Sequence, residues 1–126
     1  MKWFLFLVAV VHAGFAVCEL FPWGFPLLLK IASKKLPNLE NGNPWTNLQL
    51  PLVATIVHNA GIYNAILAGG LFWVALAFPA ARDMTQFLLI GAAVAGIFGA
   101  VTLKSPVPAI QALLGIIGLV LLKQLG

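Results

Sequence analysis

The sequence predicts an all-α fold: an integral membrane four-helix bundle with a long loop between helices 1 and 2. Three observations carry that expectation. Of 126 residues, 62% are hydrophobic and 8% charged, whereas roughly a quarter of a soluble domain is charged. Residues 3–18, 51–81, 84–103 and 105–122 contain no Asp, Glu, Lys or Arg, and about 20 mostly apolar residues suffice to cross a bilayer. The later connections are short, which makes sequential helices antiparallel neighbours. Spans are expected near 3–21, 52–78, 84–103 and 107–123. Almost nothing is left for a water-soluble domain, so residues 1–126 are expected to form a single membrane domain.

The first span opens with Met1-Lys2-Trp3 and an apolar run, a pattern shared with signal peptides, with Ala16 and Cys18 as small residues ahead of a cleavage site. It is read here as a retained helix. Cys18 is not a lipoprotein site, because Val17 stands where a small residue is expected. As the sole cysteine it is read as a small helix-packing residue.

Residues 22–51 form the one long connection. Pro22-Trp23-Gly24-Phe25-Pro26 ends the first helix with aromatics at interface depth, and Asn38 to Thr46 reads as irregular polar loop. Lys30, Lys34 and Lys35 among Leu27, Leu28, Leu29, Ile31 and Leu36 suit a short helix near 27–36 in the headgroup layer. Their stems can snorkel while their heads meet anionic lipid. Trp23 and Trp45 either anchor at the interface or cap the mouth of the bundle.

The remaining spans are joined by the turns Pro79-Ala80-Ala81-Arg82-Asp83 and Lys104-Ser105-Pro106. Gly61, Ala65 and Gly69 form a small-residue ridge in the second span, and Ala92, Gly96 and Ala100 form another in the third. Such ridges let backbones approach closely in lipid. Net charge is +4, with the charges at helix ends and in loops, which indicates membrane anchoring and no nucleic-acid partner. Lys30, Lys34, Lys35 and Lys104 fall on one side against Lys2, Arg82 and Lys123 on the other, too even a split to orient the chain. The cell membrane is the expected location and membrane lipids are expected partners.

Function is sought where ionisable and polar groups enter the apolar spans, because they are costly there. Glu19 lies seven residues beyond His12, two helical turns and about 10 Å along one face. The second helix runs back, so His58 and Asn59 are level with Glu19, while Tyr63 and Asn64 approach the level of His12. Gln111 in the fourth helix comes at about the depth of Asn59. At about 100° per residue, Thr55, Asn59 and Tyr63 share one stripe, His58 lies on the small-residue ridge, and Asn64 is well round from Asn59. Asn59 and Tyr63 are therefore expected to face Glu19 and Gln111, with Asn64 bonding to the third helix or to backbone.

Each of these residues also has a plain structural reading. Asn64 and Gln111 serve equally as interhelical hydrogen-bond glue. Tyr63 can simply pack, Glu19 can reach interfacial water or a lysine, and His12 and His58 can be satisfied core histidines. No His-Glu-x-x-His metal motif is present, and every glycine cluster lies in a span, leaving no phosphate loop. Bis-histidine haem ligation would need His12 and His58 to close a separation of about 9 Å in depth. Broken repeats of the transporter kind are not visible.

His12-x6-Glu19-Leu20-Phe21, then Asn59-x-Gly61-x-Tyr63-Asn64 with Gly69-Gly70-Leu71-Phe72-Trp73, and Gln111 in the last span resemble the small four-helix membrane proteins grouped as domain of unknown function 1304. The likeness covers nearly the whole chain outside the first loop, and the Asn-x-Gly-x-Tyr-Asn segment is its most specific part. The resemblance implies the four-helix membrane fold without a settled activity. Members are sometimes labelled epimerases, a label these residues do not support. Relatives often carry a glutamate before the first-helix histidine and a glutamine after the Asn59 position, where this chain has Val11 and Ala60.

The expected function is binding of a small polar or amphiphilic molecule, such as a lipid headgroup or quinone-like compound. Its pocket is drawn from Glu19, Asn59, Tyr63, Gln111, His12 and Asn64, with Glu19 exchanging a proton. Two alternatives stay open. One is an accessory subunit of a membrane complex, or a homo-oligomer, whose polar groups only lock packing. The other is a small intramembrane enzyme such as an isomerase, which would need substrate to touch both His12 and Glu19.

Overall fold

A computed structural model describes residues 1–21, 49–78, 80–103 and 105–125, without the side chains of Gln49 and Leu50. Four helices account for nearly all of them: α1 (Lys2–Leu20), α2 (Gln49–Ala77), α3 (Arg82–Leu103) and α4 (Ala109–Gln124). No strand occurs among the described residues. These bounds lie within about three residues of those expected from the apolar stretches. The interfacial helix expected near 27–36 and the aromatic cap of the first loop lie outside the described residues.

Local chemistry sets the helix ends. Phe21 closes α1 in an extended conformation, φ −107° and ψ 142°, with its N–H bonded to Val17 O, as expected of a residue that precedes a proline. Pro51 sits in the first turn of α2, where a missing N–H costs least. Before α4 the chain reverses through Ser105 to Pro108. Val107 N–H donates to Ser105 Oγ at 3.3 Å, and Gln111 N–H donates to Pro108 O at 3.0 Å. Thr55, Thr85 and Thr102 return their hydroxyls to carbonyls one turn back, Pro51 O, Ala81 O and Phe98 O, so a polar side chain can sit in an apolar helix with its donor satisfied.

Helices α1, α2 and α3 are long and apolar enough to cross a membrane, while α4 has 16 helical residues. Outward faces are studded with Leu, Ile, Val and Phe, among them Leu76, Phe87, Phe98 and Val101. In water such a surface would aggregate; in lipid it is the solvated face. The chain is thus an integral membrane helical bundle, with Trp3 exposed at one end, suited to an interfacial anchor.

Within the bundle α1 packs along α2 and α3 along α4, and smaller α2–α3 and α1–α4 contacts join the two pairs. One contiguous apolar core holds Leu5, Val8 and Ala9 of α1, Leu71, Val74 and Ala75 of α2, Leu88 and Leu89 of α3, and Leu122 of α4. These residues lie toward the end that carries Met1. Phe6 extends the core outward, its ring 5.8 Å from those of Trp3 and Phe72.

Glycines decide how close the helices come. A Cβ on Gly96 of α3 would collide with backbone atoms of Ala112, and one on Gly115 of α4 would lie 2.6 Å from Ala93 N and 2.8 Å from Leu89 O. Backbone there touches backbone. Between α1 and α2 the approach is made at Gly61, whose Cβ would lie 2.8 Å from Leu20 Cγ and 3.0 Å from Glu19 Cβ. Ala92 and Gly96 of the expected third-span ridge are buried. Of the second-span ridge, Gly61 is buried, whereas Gly69 is exposed, with open space where a Cβ would go.

Candidate functional site: a polar layer across three helices

At the end of the bundle away from the apolar core, three polar side chains meet. Asn64 Nδ2 of α2 donates to Glu19 Oε2 of α1 at 2.7 Å, and Gln111 Nε2 of α4 donates to Asn64 Oδ1 at 3.1 Å. Asn64 is the bridge. The α1–α2 approach at Gly61 positions it, since Asn64 is three residues on, about 60° round the helix axis. The tight start of α4 positions Gln111, which is buried in the α4 face formed with Ala112, Gly115 and Gly118.

The chain of bonds has a direction. Gln111 donates to Asn64 and Asn64 donates to Glu19, so the chain of donors ends on the Glu19 carboxyl group. At 2.7 Å the Asn64–Glu19 contact is at the short end of the N–H···O range. Among the described residues Glu19 has no basic partner, and neither Glu19 Oε1 nor Gln111 Oε1 has a hydrogen bond. Both atoms stay short of complete enclosure, unlike the ring nitrogens of His12. Acceptor capacity therefore remains at both ends of the layer.

His12 lies two turns deeper on the same face of α1. It is fully buried, and among the described residues neither Nδ1 nor Nε2 has a hydrogen-bond partner. A buried polar group left unsatisfied costs about 1–3 kcal/mol, and a neutral imidazole has both a donor and an acceptor to satisfy.

Glu19 and Gln111, expected in one layer, are joined there through Asn64. The expected rotation and depth of α2 are both corrected: Asn64, expected near the level of His12, lies in the layer of Glu19. Asn64, expected to bond to the third helix or to backbone, bridges Glu19 and Gln111, while Asn59 and Tyr63, expected at the layer, lie on the exposed side of α2. Tyr63 is 66% exposed. The cause is steric: α2 turns Gly61 toward α1, and Asn59, two residues earlier, is carried about 160° away from Gly61. Thr55, on the same stripe, satisfies its hydroxyl within its own helix. His58 is exposed and lies apart from the layer, and Cys18 is a free, half-buried thiol.

Two features went unread in the sequence. Gly115 and Gly118 recur at three-residue spacing with Ala112, outside the four-residue pattern that identifies the other ridges. Arg82 Nη2 donates to Leu122 O at 2.8 Å, tying the start of α3 to one of the terminal carbonyls of α4 that a helix leaves unpaired. An arginine next to a tight turn, opposite a helix C-terminus of matching depth, is the signal that points to it. Among the described residues no group of three or more His, Cys, Asp or Glu side chains is gathered.

Comparison with known proteins agrees with the resemblance carried by these motifs. No curated protein and no solved structure matches the chain. Residues 6–123 match the family described as protein of unknown function (DUF1304), a match that takes in His12, Glu19, Asn64 and Gln111 and reaches into all four helices, and the chain belongs to that family.

Proposed function

We propose that this chain acts as a single membrane domain in the cell membrane and binds a small polar or amphiphilic molecule at the Glu19–Asn64–Gln111 layer. The observation that carries the reading is the direction of that layer: Gln111 donates to Asn64, Asn64 donates to Glu19, and among the described residues Glu19 Oε1 and Gln111 Oε1 keep free acceptor capacity. A layer built only to lock helices gains most when its polar atoms are all paired, because spare capacity in hydrocarbon stabilises nothing. The matching ligand carries a hydrogen-bond donor, a hydroxyl or amine, with an apolar remainder that lies among the helices. Glu19 would take or give a proton, and Asn64 and Gln111 would hold the carboxylate in place.

Small molecules that remain with the full chain after gentle detergent purification, identified by native mass spectrometry, test this reading. Wild type should retain a species that Glu19→Gln and Asn64→Ala lose, with helical circular dichroism unchanged. An identical set of retained species in all three proteins would refute it.

A second reading, an accessory subunit or homo-oligomer, is favoured by one observation: Asn59 and Tyr63 sit on the exposed side of α2. An amide facing lipid is costly and gains from a neighbouring chain. Crosslinking in native membranes that yields only monomers would remove this reading.

A further inference from the structure

We propose a second site at the opposite end of the bundle, formed by Arg82 and Gln86 of α3 and Lys123 of α4, that binds a phosphate-bearing anion. These three side chains line a recess of about 260 Å³ whose apolar wall is Leu119 and Leu122. The recess is separate from the Glu19 layer and uses none of its residues.

Four observations combine. Arg82 is anchored, because one of its N–H groups is bonded to Leu122 O at 2.8 Å. That bond holds the guanidinium against α4 and leaves most of its five donors uncommitted. Among the described residues Lys123, in the last turn of α4, makes no hydrogen bond or ion pair, and Arg82 makes none beyond that to Leu122. Asp83 is exposed and stands one residue, about 100°, round α3 from Arg82, so the acidic residue nearest in sequence does not line the recess. Two unpaired cations and an amide from two helices thus converge over an apolar wall at the bundle end.

That arrangement fits phosphate chemistry. A guanidinium offers paired donors to phosphate oxygens, an ammonium adds a point charge, and the Gln86 amide contributes a further N–H. Leu119 and Leu122 fit the first methylenes of an attached chain. A basic recess between helices at headgroup depth is a suitable cradle for an anionic phospholipid; free phosphate presents the same anion without the chain.

Retention of phosphatidylglycerol against phosphatidylcholine by the full chain in detergent, measured by native mass spectrometry, tests the proposal. Phosphatidylglycerol should be retained over phosphatidylcholine, and Lys123→Gln should reduce that preference about fivefold. Gln86→Ala should reduce it less, with helicity unchanged in both. Lys2→Gln removes a charge outside the recess and should leave the preference intact. Inorganic phosphate at millimolar concentration separates the two sources: displacement of the lipid assigns the site to the phosphate group alone, and no displacement assigns it to a phospholipid. Equal retention of the two lipids, or an equal loss in Lys2→Gln and Lys123→Gln, would overturn the site.

Discussion

The α3–α4 seam and the seam where α1, α2 and α4 meet hold helices together by different means. Between α3 and α4, Gly96 and Gly115 bring backbone against backbone, beside Ala93, Leu89 and Ala112. At the other seam, Gly61 allows one close approach, and the space beside it is filled by Glu19, Asn64 and Gln111. In lipid both routes work, since close packing and hydrogen bonds replace the hydrophobic effect as the cohesive forces between helices. The first leaves nothing over for chemistry. The second leaves two acceptors and, deeper, an imidazole without partners.

Substitutions that break one seam should leave the other mode of packing visible. The largest effect is expected at α3–α4. Gly96→Val or Gly115→Val places a branched side chain against backbone atoms that cannot rotate away, at a cost of about 3 kcal/mol or more, read as loss of cooperative thermal unfolding in detergent. Gly61→Ala should cost less, about 1–2 kcal/mol, because its nearest obstacle is the flexible Leu20 side chain, although Glu19 Cβ is also close.

His12→Leu should act in the opposite direction. Exchanging a buried, unpartnered imidazole for an apolar side chain of similar bulk removes two unsatisfied atoms and should raise stability by about 1–2 kcal/mol. A drop of that size would mean that His12 has a hydrogen-bond partner in the membrane.

The layer itself should be coupled weakly but measurably. Asn64→Ala and Gln111→Ala, singly and together, should give a coupling energy of about 0.6 kcal/mol, typical of interhelical hydrogen bonds in membranes. Smallest of all is Gly69→Ala, where open space awaits the Cβ. Its stability should be unchanged within about 0.5 kcal/mol, in contrast to Gly96 and Gly115.

How much of this is legible in the sequence follows from which signals survive in an apolar chain. Spans are legible because charge-free stretches are long and prolines and short turns end them, as at Phe21-Pro22 and Ser105 to Pro108. Depth is legible in part: Glu19 and Gln111 fall at one level as antiparallel packing requires, but the long first connection leaves the register of α2 open, and Asn64, expected near the level of His12, lies in the Glu19 layer. Rotation is not. Helix α2 is apolar on nearly every side, so no hydrophobic stripe distinguishes inside from outside, and the polar stripe of Thr55, Asn59 and Tyr63 competes with the small-residue edge at Gly61. The small residue decides, since only there can α1 come close, and Asn64 is carried into the layer with it. Within Asn59-x-Gly61-x-Tyr63-Asn64, the glycine is the residue that says which amide points inward. The unpartnered state of His12 is likewise invisible in sequence, because it depends on what three other helices fail to offer.

The central claim is that Asn64, not Asn59, is the partner of Glu19, and a solid-state NMR distance in lipid tests it most directly. With carbon-13 in glutamate carboxyl groups and nitrogen-15 in asparagine side-chain amides, in a Glu40→Gln background that leaves Glu19 as the one glutamate, the otherwise unaltered chain should show a close carbon–nitrogen contact. That contact should survive Asn59→Ala and vanish in Asn64→Ala. Loss of the contact in Asn59→Ala, with retention in Asn64→Ala, would contradict the layer described here.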